Sequence, residues 1–242
     1  RFLPPDQVFH AHEDRALPLF HGQTGSQPST VAAMLRLLQV PVGGRVLDVG
    51  SGSGWSTALL ARLVGPSGEV LGLELDAELC AFGAANLAPW HMPWARIEQA
   101  DPGRLGRPVP GGWDRILVSA SPRVLPQELV DQLAVGGRMV VPVQTTMTLV
   151  VSRADGPPEI SRHGQYEFVP LRTGFTGEAS GATGRHDQGW PRGRRREPHA
   201  AVPPHAAPVG RDVDPDPLRV GGGRGVRPHP AGHHAGRGRG AE

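Results

Sequence analysis

Two apolar rhythms alternate along the first 175 residues. Residues 45–49, once past Arg45, are apolar on both faces except at Asp48, the pattern of a strand buried in a parallel sheet. Residues 53–64 carry apolar side chains at 59, 60, 63 and 64, one face of a helix. Gly65-Pro66-Ser67-Gly68 breaks that helix, and residues 69–73 form a second strand that ends at Glu74. Upstream, residues 1–27 read as loop, because Pro4-Pro5 and Pro18 block long helices. Pro28 suits the first turn of a helix over about 28–38, with Val31, Met34, Leu35 and Leu38 on one face. Downstream, Asp76 can cap a helix over about 77–87. Strands follow at 95–99 and 113–120, a helix from Leu125-Pro126 to Leu133 closed by Gly136-Gly137, and a strand at 138–143. Two last strands, 146–153 and about 160–168, flank Gly156-Pro157-Pro158. Strands alternating with helices, then a hairpin, predict a doubly wound α/β, Rossmann-like sheet with a closing antiparallel hairpin.

Between the first strand and its helix stand Gly50, Gly52 and Gly54. Such a turn lets a ligand approach the backbone closely. Glu74, at the carboxyl end of the next strand, can accept hydrogen bonds from both hydroxyls of a ribose. A dinucleotide fingerprint from Gly50 would need glycine at 55, where Trp55 stands. The observed D-x-G-x-G-x-G is the form typical of methyltransferases that use S-adenosyl-L-methionine (SAM).

Composition narrows the setting. No apolar run is long enough to span a bilayer, no signal-peptide pattern is present, and Cys80 is the single cysteine. A cytoplasmic protein without disulfides is expected, with Cys80 in the core. Every one of the 25 basic residues is arginine, which points to a GC-rich genome. Residues 1–175 hold 14 Arg and 16 Asp+Glu, net −2, whereas residues 176–242 hold 11 Arg and 7 Asp+Glu, net +4. The high pI therefore belongs to the tail and gives no argument for a nucleic-acid partner. The tail is rich in Gly, Pro, Arg, Ala and His and lacks apolar periodicity, so disorder is expected, with a shifted reading frame as its suggested origin. Neither its histidines, including His233-His234, nor Arg194-Arg195-Arg196 has a spacing that specifies a metal or nucleic-acid site; no metal is expected. Two domains are thus expected, a catalytic one over 1–175 and the tail over 176–242.

Three further motifs combine with the glycine turn: Gly22-Gln23-Thr24-Gly25-Ser26-Gln27-Pro28, the run Trp113-Asp114-Arg115-Ile116-Leu117-Val118-Ser119-Ala120 with the Gly136-Gly137 and Pro142-Val143 that follow, and Phe168-Val169-Pro170-Leu171. In this order residues 1–172 resemble the protein-L-isoaspartate O-methyltransferase family, which uses SAM to repair damaged proteins. The resemblance implies that Ser26 is the active-site serine and that Gln23 and Thr24 line the SAM site. It implies that Asp48, Gly50, Ser51, Gly52 and Gly54 form the methionine-side loop, that Glu74 holds the ribose and Asp101 lies by the adenine. Val169, Pro170 and Leu171 would shape the substrate cleft. The bland readings are that Ser26 caps the following helix and that Asp101 is a turn residue before Pro102. Gly25 and Pro102 depart from the family pattern, and an N-terminal helical segment expected ahead of Phe2 is missing, which fits truncation.

The implied partners are isoaspartyl-containing proteins and peptides, with no membrane and a monomeric enzyme. The implied substrate group is the free carboxylate of an L-isoaspartyl residue, ionised at neutral pH. It needs no general base, so the lack of a Ser-His-Asp or paired-carboxylate pattern is consistent. The alternatives are a related SAM-dependent O-methyltransferase acting on a specific peptide or small metabolite, and a non-enzymatic SAM-binding protein.

Overall fold

The structure, a computed structural model, describes residues 1–172. The tail reading, its histidines and its arginine run all lie outside the described residues.

In chain order the described elements start with strands β1 (Leu17–Pro18) and β2 (Thr24–Gly25), which pair antiparallel, and helix α1 (Pro28–Leu38). Strand β3 (Arg45–Val49), helix α2 (Trp55–Val64), strand β4 (Glu69–Glu74), helix α3 (Ala77–Leu87) and strand β5 (Ala95–Gln99) follow. The chain continues with β6 (Trp113–Val118), the one-turn α4 (Gln127–Val130), β7 (Leu133–Val143), β8 (Thr146–Val151) and β9 (Glu159–Gln165). The main sheet has the order β5-β4-β3-β6-β7-β8-β9, parallel through β7 and antiparallel beyond it. This is the expected doubly wound sheet with its closing hairpin.

The buried apolar strand residues feed two cores, one on each face. Val46, Val70, Leu117 and Val140 pack with Met34 and Leu38 of α1, Leu60 and Val64 of α2 and Leu87 of α3. Leu47, Leu71, Ile116 and Met139 face the other way, covered by Leu129 of α4 and by Leu105, Val109 and Leu125 from loops. Cys80 is buried as expected, and burial pushes its thiol pKa up, which suits a core residue. Among the described residues no helix is long and apolar enough to cross a membrane.

Several boundaries differ from expectation, each for a physical reason. The N-terminal stretch is not all loop: Pro5–His10 and Phe20–Gly22 form 3-10 turns beside the β1–β2 ladder. The buried face of α2 is Thr57, Ala58, Leu60, Ala61 and Val64, while Leu63 faces solvent. The helix expected up to Leu133 stops after one turn. Gly136 and Gly137 lie inside β7, where a bulge sets Trp113 opposite Leu133 but Arg115 opposite Arg138. A Cβ on Gly137 would stand 2.7 Å from the Ala134 carbonyl oxygen, so only glycine permits this fold-back. The last strand ends at Gln165, and Phe168–Leu171 instead turns back to the sheet. Ser121 N–H donates to Val169 O (2.8 Å) and Leu171 N–H to Ser121 O (2.9 Å).

Two arginines complete α1 from outside it. Arg138 donates from Nη2 to Leu37 O (2.7 Å) and Arg115 from Nε to Gln39 O (2.9 Å), satisfying carbonyls at the helix C-terminus. Trp90 and Trp94 act in packing, as read from the sequence. Trp94 Nε1 donates to Ala61 O (2.8 Å), and Trp90 stacks between Phe2 and Arg62.

Candidate active site

At the centre of the sheet the strand order reverses direction between β3 and β6. In open α/β sheets the crevice at that switch point, outside the carboxyl ends of the strands, is where ligands bind. Here it is a cavity of about 390 Å³, bounded by Gly50 after β3, Glu74 and Asp76 after β4, and Ser119-Ala120 after β6. That volume lies within the range of small-molecule sites.

The glycine loop shapes one wall. Gly50, Gly52 and Gly54 all have positive φ (76°, 53° and 84°), which is why glycine recurs there. Gly54 is also a packing site: a Cβ there would lie 2.8 Å from Gly83 O, and one on Gly83 would lie 2.7 Å from Gly52 O. Helix α3 therefore rests directly on the loop backbone.

Two buried carboxylates hold this loop. Glu74 accepts from Gly52 N–H (2.9 Å) and from Asp76 N–H (3.1 Å), which fixes both oxygens at the cavity edge and leaves acceptor capacity for a ligand hydroxyl. Asp48 is fully buried behind the loop. Its Oδ2 accepts from Ser56 Oγ and Thr57 Oγ1, both at 2.7 Å, while its Oδ1 has no partner. Burial pushes the Asp48 carboxyl up to about 6, opposed by those two hydroxyls and reinforced by the charge of Glu74. Ser51 Oγ is likewise buried without a partner.

The residues expected at the site thus separate into three places. Gln23, Thr24, Gly50, Gly52, Glu74, Asp101, Val169, Pro170 and Leu171 line the large cavity together. Asp48, Ser51 and Gly54 do not line it; they support the loop from behind. Ser26 lies in a second cavity of about 190 Å³, beside Gly25, Ser53, Trp55 and Arg15. The two cavities adjoin along the chain: Thr24 lines one and Gly25 the other, and so do Gly52 and Ser53. Asp101 lines the cavity and is also a turn residue, since its Oδ1 accepts from Gly103 N–H (2.8 Å) in the turn over Pro102. Ser26 does not cap α1. Asp14 does so from a distance, accepting from Ser29 N–H (2.8 Å) and Gln27 Nε2 (3.2 Å), which holds its carboxyl below the usual range. Ser26 is left without that duty.

Sequence reasoning missed Asp76 as a wall residue, having assigned it only the α3 cap, and missed Arg104 and Ser119-Ala120. The switch-point rule would have found Ser119, because it follows the strand paired with β3. Among the described residues no group of His, Cys, Asp or Glu could hold a metal ion.

The free lone pairs of Glu74 and a glycine wall without side chains fit a ligand that carries vicinal hydroxyls such as those of a ribose. Comparison with known proteins agrees. The family model described as protein-L-isoaspartate(D-aspartate) O-methyltransferase (PCMT) matches residues 1–175. A protein-L-isoaspartate O-methyltransferase of Aeropyrum pernix is 41% identical over 174 residues, covering 70% of this chain and 67% of that protein. One from Anaeromyxobacter dehalogenans is 44% identical over 179 residues, covering 71% and 83%. Among solved structures, a candidate protein-L-isoaspartate O-methyltransferase from Plasmodium falciparum, in complex with S-adenosyl-L-homocysteine, superposes with a TM-score of 0.57 at 28% identity, covering 66% of this chain and 81% of that one. The fold, the cavity at the switch point and these relatives together establish that the chain belongs to the protein-L-isoaspartate(D-aspartate) O-methyltransferase family.

Proposed function

We propose that residues 1–175 form a protein-repair enzyme of the cytoplasm that methylates the free carboxylate of L-isoaspartyl residues. The observation that carries this reading is the switch-point cavity, in which a glycine wall and Glu74 face the returning Val169–Leu171 segment, in a chain of this family. When bound, SAM supplies a methyl group on a sulfonium sulfur, an electrophile that an ionised carboxylate attacks directly, leaving S-adenosyl-L-homocysteine.

The residues of this chain have binding and orienting roles in that reaction. Glu74 accepts from the ribose hydroxyls, and Gly50 and Gly52 allow close approach of the backbone. Asp48 and Ser51 act from behind the loop and fix the backbone that the cofactor meets. The substrate carboxylate enters from the Ser26 cavity, where the serine hydroxyl donates to it and keeps one oxygen aimed across the Thr24–Gly25 junction. No residue removes a proton, because the nucleophile is already ionised at neutral pH. Rate enhancement comes from orientation and from exclusion of water.

Steady-state methylation of an L-isoaspartyl peptide by two variants tests these roles. Glu74→Ala should raise the KM for SAM about tenfold or more, through loss of charge-assisted hydrogen bonds. Ser26→Ala should lower kcat by about tenfold with little change in SAM affinity. A Ser26→Ala enzyme that loses only SAM affinity would make the serine a cofactor contact, and unchanged SAM affinity in Glu74→Ala would refute the ribose assignment.

A further inference from the structure

The β1–β2 ladder makes a small hairpin whose tip is Leu19-Phe20-His21-Gly22-Gln23. Leu19 N–H donates to Gln23 O (2.8 Å), and Gln23 N–H to Phe20 O (2.9 Å). The hairpin belongs to the cofactor cavity, since Gln23 and Thr24 line it and Leu19 lies over Gly52. Nothing in the chain before it contributes a wall to that cavity. How the tip stays down therefore matters for what the cavity holds.

Two contacts fasten it, both to α3. Phe20 meets Phe82 edge to face, with ring centroids 5.0 Å apart. Beside it His21 reaches both carboxylates at the start of α3: Nδ1 lies 2.6 Å from Asp76 Oδ2 and Nε2 lies 3.3 Å from Glu78 Oε2. His21 adopts a left-handed backbone (φ 53°, ψ 37°), an uncommon conformation for a residue other than glycine, which its surroundings have to hold. Asp76 is more than an anchor. Its Oδ1 caps α3 through Leu79 N–H (3.0 Å), its own N–H donates to Glu74, and it lines the cavity. The bridge thus runs from the hairpin tip to the neighbour of the ribose-binding carboxylate.

We propose that His21 is a positioning residue for methyl transfer: by bridging the hairpin tip to Asp76 and Glu78 it holds Gln23 and Thr24 against the cofactor cavity and slows cofactor release. This rests on the SAM reading of that cavity. Nδ1 makes a hydrogen bond to Asp76, whereas Nε2 meets Glu78 as an ion pair, which needs the charged imidazolium. The charged groups facing His21 are Asp76, the cap of α3, and Glu78 in its first turn; Glu74 follows through the Asp76 N–H, and Asp101 and Arg104 line the same cavity. The hydrogen bond to Asp76, then the charges of Asp76 and Glu78, raise the His21 pKa above its ordinary 6.5. A raised histidine contributes fully below that ordinary value, and its contribution fades as pH rises through the raised one.

Two measurements on the full chain test the bridge. In calorimetric titration with S-adenosyl-L-homocysteine at about pH 6, His21→Ala should bind about threefold more weakly, as expected for a half-exposed ion pair. At about pH 8.5 the gap between wild type and His21→Ala should narrow, whereas His21→Gln, which cannot titrate, should show no such narrowing against His21→Ala. The ammonium group of the ligand titrates alike in all three proteins, so it cancels. Equal affinity of wild type and both variants at both pH values overturns the proposal. Without ligand, the Leu19 and Gln23 amides should exchange hydrogen faster in His21→Ala than in wild type; equal exchange also overturns it. A wild-type chain that binds no S-adenosyl-L-homocysteine would remove the cofactor reading, while amide exchange still decides whether His21 fastens the hairpin.

Discussion

Asp48 shows how one residue joins fold and site. It sits near the carboxyl end of the central parallel strand, between Leu47 and Val49, and its buried carboxylate has only two hydroxyl donors and one empty oxygen. Its elevated pKa has a consequence for stability. Between the ordinary value of 3.8 and about 6 the folded state binds a proton that the unfolded state has released, so this group makes stability fall as pH rises through that window. Asp48→Asn removes the titration, keeps an acceptor for Ser56 and Thr57, and turns a donor toward the empty side. Its stability relative to wild type should therefore rise by about 2–3 kcal/mol between about pH 4 and about pH 7, read from denaturant midpoints. A constant difference across that range would show that Asp48 is not raised. The acid was legible in the sequence as the one polar residue of the run Val46–Val49, but its task was not: it was assigned to the loop lining, and the structure sets it behind the loop. The Asp14 cap was illegible for a similar reason, because the acceptor for α1 comes from 15 residues before Ser29 rather than from the adjoining position.

Among elements, the loop–helix contact of Gly54 and Gly83 carries the most risk for function. Neither position has room for a methyl group: at Gly83 the nearest atoms are all loop backbone, and at Gly54 they are the Gly83 backbone and the Ile97 side chain. Gly83→Ala keeps helix propensity and still has to push α3 away from Gly52 O. The expected cost is about 1–3 kcal/mol of stability, with weaker SAM binding because Gly52 N–H and Glu74 are displaced together. Thermal unfolding and ligand titration on the same variant check this; retained stability with full affinity would mean that the contact is slack. Elements flanked by Gly, Pro or a cap residue were read from the sequence with almost correct limits: β3, β5, α1 and α3 all lie where expected. The reading failed where glycine made two structures possible. Gly136-Gly137 looks like a helix stop, and only the register between β6 and β7 reveals a bulge within a strand.

At the scale of the molecule, two cavities adjoin along the chain. The larger, at the switch point, has the features of a cofactor site, and the smaller holds Ser26. Their separation could not be read from spacing, since it depends on the path of the β1–β2 hairpin, which passes between them and contributes Thr24 to one and Gly25 to the other. The same geometry explains how motifs far apart in sequence come together at one end of the sheet. The Gln23–Ser26 stretch, the glycine loop and Val169–Leu171 are brought together by strand ends and by the return of the chain to Ser121. The central claim, methylation of an isoaspartyl carboxylate, has a direct test in radiolabelled methyl transfer from SAM to a synthetic peptide containing L-isoaspartate and to its L-aspartyl twin. Label is expected on the isoaspartyl peptide alone, as a base-labile ester; equal labelling of both peptides, or SAM binding with label on neither, would contradict it.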